Sequence, residues 1–303
     1  MKFSMSRCIF SGLVTVSLLT VYASPALAIK DESPLQISSV YMSAADKHAF
    51  AAEKEREYAQ NTNAQVNSAI DQQDKIDQLI LRAASSSNPS EVTAIQKELE
   101  MFGVYLYKSG TDAPSTRSSN SDVNISAPDI YYNTGENTWT VATGGYWRND
   151  EWKRDHGVAG TVGDPDAFGV GYSNVSGTYS AHIVRQTASI NNGKTGSDYE
   201  GILTSNRSDG DGQNGFGFRL QDEVILSNVF GSLEYIGAKW AGACTYDYDF
   251  AEYNGNAYSY YVHTYRSCTI SELEFNITNP PAVTFSISST EDGFGVLSVD
   301  TSF

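Results

Sequence analysis

From Asp129 to the C-terminus the chain consists of short β-branched or aromatic runs separated by Gly, Asn and Asp, and this punctuation limits the fold more than any other feature. All four Trp, 14 of the 19 Tyr and 22 of the 25 Gly fall in residues 129–303. Thr138 to Ala142, Tyr179 to Ile190, Glu223 to Phe230, Leu273 to Thr278, Ala282 to Ser288 and Phe294 to Val299 are runs of this kind. Strands at this spacing, about ten in all, pack as two layers, so residues 129–303 are expected to form an all-β antiparallel sandwich or jelly-roll-like domain. No fixed-period repeat points to a propeller.

The preceding sequence has a different texture. Residues 41–84 contain no Pro or Gly and are rich in Ala, Gln, Glu, Asp and Lys, a helix-favouring composition. Val66, Ala69, Ile70, Ile76, Ile80 and Ala83 form a thin apolar stripe at three-to-four spacing. Ser85 to Asn88 interrupt it, Pro89-Ser90-Glu91 restart it, and Val92, Ile95, Leu99 and Phe102 share a face before Gly103 stops the helix. Residues 41–103 therefore read as an N-terminal helical hairpin, either a self-associating stalk or a pair docked on the next domain. Residues 104–128 read as a Ser/Thr-rich linker.

The first 28 residues have the pattern of a secretory signal peptide. Lys2 and Arg7 precede an apolar stretch, and Ala26-Leu27-Ala28 offers a small-x-small cleavage site, leaving 29–40 as a leader. The apolar stretch is shorter than the roughly 20 residues a membrane span needs, and no later segment is apolar enough to cross as a helix. A secreted, extracellular protein is expected. Its 36 acidic residues against 20 basic ones, a net charge of -16, repel phosphate backbones, so no nucleic acid is expected as partner. A C-terminal Phe303 with Leu297 and Val299 is reminiscent of outer-membrane barrels, but Thr301 breaks the alternation and the runs fall short of the roughly 10 residues such strands need.

Signal removal takes Cys8 and leaves Cys244 and Cys268, an even count that in an oxidising compartment reads as a disulfide. Ala238 to Ile270 reads as a hairpin around Asn254-Gly255-Asn256. Even positions carry Trp240, Cys244, Tyr246, Tyr248 and Phe250 on one arm and Tyr258, Tyr260, Val262 and Cys268 on the other. A disulfide on that apolar face sets the register, and the outward face then gathers Asp247, Asp249, Tyr261, His263 and Tyr265, since cross-strand partners sit about 5 Å apart. That group is either a polar patch able to hold a sugar, a peptide or a metal ion, or a solvated sheet face.

Two further groups of residues have chemical potential. Asp209, Asp211 and Gln213 are spaced by glycines as in calcium loops, although Leu220 stands where a bidentate Glu is wanted; Ca2+ binding and a plain Asp/Gly turn are both open, and no cofactor is required. Trp147 and Trp152, among Asn149, Asp150, Glu151 and Asp155, could stack on sugar rings or serve as core. Nucleophile elbows, His-Glu-x-x-His and phosphate loops are missing from the sequence.

Thr140 to Trp147, Asp166 to Tyr179, Ser205 to Asp222 and Tyr253 to Arg266 together resemble a family of uncharacterised secreted proteins of Gram-positive bacteria. The resemblance implies export and carries no activity, substrate or site. The sequence thus favours a non-catalytic extracellular glycan- or protein-binding module. A secreted hydrolase using paired carboxylates on polysaccharide, or a structural surface or matrix protein, are the alternatives.

Overall fold

A computed structural model describes residues 15–17, 43–61, 69–109, 122–155, 160–178, 180–193, 203–205, 210–226, 233–264, 270–276, 282–287 and 293–303. Three helices, α1 (Ala44–Asn61), α2 (Ala69–Ser85) and α3 (Pro89–Met101), precede nearly all of the strands. α3 begins as its sequence dictates: the Asn88 side chain accepts from the Ser90 amide at 3.0 Å, and Pro89 occupies a first-turn position where its missing N–H costs nothing. Its end is set by Gly103, whose φ of 76° suits glycine.

The strands form antiparallel sheets. The largest contains β2 (Val104–Lys108), β4 (Asp129–Asn133), β5 (Thr138–Trp147), β11 (Lys239–Tyr246), β7 (Ile183–Asn191) and β8 (Leu203–Ser205) in that spatial order, with β3 (Val123–Ile125) also paired to β5. The second has the order β10 (Leu233–Ile236), β9 (Gly215–Leu226), β6 (Thr161–Ser176), β12 (Asn254–Thr264), β15 (Gly293–Ser302). A third, small sheet joins β1 (Thr15–Ser17), β14 (Ala282–Ile287) and β13 (Ile270–Asn276). The expected antiparallel sandwich with helices before it is thus the observed architecture. Residues 104–108 and 123–125, inside the stretch expected to be linker, are strands of the large sheet.

β11 shows how the layers assemble. Its even residues Trp240, Cys244 and Tyr246 face the core between the two large sheets, together with Trp139, Phe168, Phe216, Phe218 and Tyr172. Its odd residues Ala241 and Ala243 face the other way, onto Ile76, Leu79, Ile80, Ile95 and Leu99 of α2 and α3. Small side chains there let the helices approach closely. The same holds at Gly144 on β5, where a Cβ would stand 2.5 Å from the Ala84 carbonyl oxygen. Ile76, Ile80 and Ala83 of the apolar stripe are therefore covered by the sheet, and the ion pair of Arg185 on β7 with Asp77 on α2, at 2.8 Å, fixes the same packing.

Candidate functional site

The expected hairpin between β11 and β12 does not form. β11 lies between β5 and β7, with Cys244 opposite Val141 and Gln186, while β12 lies between β6 and β15 in the other sheet. A 3-10 turn at Tyr248–Glu252 carries the chain across, and Asn254-Gly255-Asn256 begins β12 instead of turning. Cys244 is buried and free, so the disulfide and the register drawn from it are corrected; Cys268 and Tyr265 lie outside the described residues. Alternation misled because β12 is buried on both faces: Tyr260 and Val262 are each 2 % exposed, yet Ala257 and Tyr261 are the residues that join the core. His263, two positions on from Tyr261, accordingly points into the sandwich and is 0 % exposed.

His263 is the centre of a buried ionic cluster. Its Nδ1 lies 3.0 Å from both carboxylate oxygens of Asp166, and its Nε2 lies 3.0 Å from Asp155 Oδ2. Asp166 also accepts the Tyr261 hydroxyl proton at 2.5 Å and the Thr264 amide at 2.9 Å. Burial disfavours the imidazolium, but the adjacent Asp166 and Asp155 outweigh it and hold His263 up to about 10. Asp222 completes the group. Burial, then the Asp166 charge, push its carboxyl well above the usual range and favour its neutral form. Asp155 is the outermost member, its side chain 21 % exposed.

Local structure explains the convergence. Asp166 precedes Phe168, Val170 and Tyr172 on the inward face of β6, and Asp222 sits between inward Phe218 and Val224 on β9. Val162 pairs with Asp222 and Asp166 with Leu220, so β6 bulges through Gly163-Asp164-Pro165, where a proline needs no ladder partner. Asp155 ends the 3-10 turn Glu151–Asp155 that follows β5. In the sequence Gly163-Asp164-Pro165-Asp166 reads as an acidic turn and Asp222 carries no mark; each Asp occupies an inward position, in line with Phe168 and Val170 on β6 and with Phe218 and Val224 on β9, and that placement is the signal that finds them.

Four of the sequence-named binding residues gather here, but inside the fold. Trp147 stands edge-on to His263 with ring centroids 4.9 Å apart and stacks on Trp152. At 9 % and 1 % exposed, Trp147 and Trp152 are core and not sugar platforms. Asp247 and Asp249 are elsewhere: Asp247 caps the 3-10 turn, its carboxylate accepting the Asp249 amide. Asp247 and Asp249 meet residues 180–182, and their neighbours Tyr246 and Tyr253 meet the acidic glycine loop. The Tyr253 hydroxyl donates to Gln213 O at 2.5 Å, Tyr246 donates to Gly212 O at 3.0 Å, the Asp247 amide donates to His182 O at 3.0 Å, and Ser180 Oγ donates to Asp249 at 3.4 Å. Within that loop the Asp211 carboxylate accepts the amides of Gln213 and Asn214, which is turn chemistry; Asp209 lies outside the described residues.

No family model and no curated protein matches the chain. Among solved structures, one titled "pH-induced modulation of Streptococcus parasanguinis adhesion by Fap1 fimbriae" is similar at 11% identity, over 66% of this chain and 94% of that one, with a TM-score of 0.25. A likeness of that size carries no argument. Among the described residues no helix is long and apolar enough to cross a membrane.

Proposed function

We propose that the protein is a non-catalytic extracellular module that binds a glycan or protein ligand at the loop end of its sandwich. The observation supporting this is the division of labour among its polar groups. The carboxylates and histidine that hydrolysis could use, Asp166, Asp222 and His263, are at most 3 % exposed. In contrast, segments 180–183, 210–214 and 247–253, from three separate strand connections, are tied together at one end and present Asp211, Gln213, Asp249 and Glu252 to solvent. Loops held by a rigid scaffold are where binding residues concentrate. The charge of this end and of the whole chain suits a neutral or cationic ligand.

The test is a glycan array and a screen of cell-surface proteins, probed with the protein and with a triple variant, Gln213→Ala, Asp249→Ala and Glu252→Ala. Binding by the parent that falls at least tenfold in the triple variant, at unchanged melting temperature, supports the reading. Equal binding by both, or silence in both screens, counts against it.

A further inference from the structure

We propose that Asp166, Asp222 and His263 form a buried binding site for one divalent transition-metal cation, with Asp155 orienting the imidazole from outside. The three residues come from β6, β9 and β12, adjacent strands of one sheet, and are 3 %, 2 % and 0 % exposed. One donor atom from each lies within 4.8 Å of the others.

A buried acidic pair beside a histidine could be a closed salt-bridge network, and one atom argues otherwise. Asp222 Oδ2 is buried with no hydrogen-bond partner among the described residues. Buried polar groups almost always have partners, because desolvation without one costs about 1–3 kcal/mol. The carboxyl is held in place from behind: a Cβ at Gly237 would stand 2.4 Å from its Cγ, so position 237 accepts no side chain. A cation between Asp222 and Asp166 supplies the missing partner.

The rest of the geometry suits a metal. In the metal-free chain His263 donates from Nε2 to Asp155 and from Nδ1 to Asp166, each at 3.0 Å; a cation that displaces the Nδ1 proton keeps the Nε2–H on Asp155, which is the carboxylate–histidine–metal arrangement of natural sites. Asp166 is oriented by the Thr264 amide and the Tyr261 hydroxyl. With the His263 Nδ1 proton and the Asp222 proton released on binding, two carboxylates and one neutral imidazole offset a charge of two. Mixed nitrogen and oxygen donors, three in number, favour Zn2+ or Mn2+ over Ca2+, which takes six to eight oxygens. Donor-to-metal distances of about 2.0–2.2 Å require the three donor atoms, now within 4.8 Å of one another, to rearrange around the cation. This site is separate from the Asp211 loop.

The experiment uses the whole chain after chelator treatment, dialysed against Zn2+ or Mn2+ and assayed for metal by elemental analysis. One equivalent retained, a melting temperature raised several degrees by the metal and returned by EDTA, and retention reduced at least tenfold in Asp222→Asn but unchanged in Asp211→Asn, are the expected results. Asn at 222 keeps the shape and neutrality of a protonated Asp, so a metal-free network tolerates it. Should Asp222→Asn fail to fold, visible absorption of the Co2+-loaded parent decides: d–d bands of a four- or five-coordinate site uphold the proposal. No stoichiometric retention, equal retention by Asp222→Asn, or a Co2+ spectrum of the hydrated ion overturns it.

Discussion

The rings of Trp240 and Tyr261 stack face to face, centroids 3.8 Å apart and 14° from parallel, across the space between the two large sheets. Trp240 is on β11 and Tyr261 on β12, segments that the sequence pattern places side by side in one hairpin. They are opposed instead, one in each layer, and the stack is where the layers meet next to the buried His263 cluster.

Truncating that stack removes a large buried surface. Trp240→Ala is expected to cost about 3–5 kcal/mol, and Trp240→Phe less, because a ring still meets Tyr261. Urea unfolding followed by far-ultraviolet circular dichroism measures both. A loss under about 1 kcal/mol for the alanine variant contradicts the packing.

Lys47 ties α1 to the sandwich and makes stability depend on pH. Its Nζ lies 2.7 Å from Tyr253 O, 2.8 Å from Asn254 Oδ1 and 3.4 Å from Ala251 O, above the rings of Phe250 and Phe303. Burial pushes it down to about 7, against the opposing pull of Glu252 and Asp46. Above pH 7 the unfolded chain, with an ordinary lysine, binds a proton that the folded chain has released, so this residue's contribution to stability grows as pH rises from 7 toward 10 and is missing below 7. The slope is at most about 1.4 kcal/mol per pH unit. Urea melts across that range should show a rise in the parent that Lys47→Met flattens; parallel curves contradict it.

The helices rest on a sheet surface with no room to spare at Gly144. A methyl group there would meet the Ala84 carbonyl oxygen at 2.5 Å and the Trp240 carbonyl oxygen at 2.9 Å, backbone atoms that cannot rotate away. Gly144→Ala should cost about 1–3 kcal/mol and speed proteolysis within α2 and α3. Gly135→Ala, whose methyl would meet nothing closer than 3.4 Å, serves as the control and should change stability by no more than about 0.5 kcal/mol.

Cys244 is buried, and burial pushes its thiol up to about 12. It should resist iodoacetamide in the native protein and react in urea without prior reduction, as mass spectrometry of the digest would show. A non-reduced peptide joining Cys244 to Cys268 is the outcome that rejects a free thiol.

The order of helices and strands was legible because both patterns are local. Asn88-Pro89 starts a helix and Gly103 ends one wherever they are packed, and Thr138 to Val141 alternates threonine with large apolar residues as a strand does, although all four are buried. The alternation on β11 also identified the inward face correctly, since its other face carries only small residues. On β12 the same rule failed: Tyr258, Tyr260 and Tyr261 and the flanking Val262 and His263 leave no polar face, because that strand is covered on both sides.

Sequence alone thus determined the class of fold, the acidic character and the strand content, which follow from composition and near-neighbour spacing. Which sheet each strand joins was decided only in three dimensions, by the 3-10 turn at Tyr248–Glu252 that carries the chain from one layer to the other. That single crossing separates His263 from Asp247 and Asp249 and delivers it to Asp155, Asp166 and Asp222, from 41 to 108 positions away along the chain. Register within a strand is a local property, but the pairing of charges in a core depends on which layers meet, and the energy of burying them is set by neighbours that no spacing rule can supply.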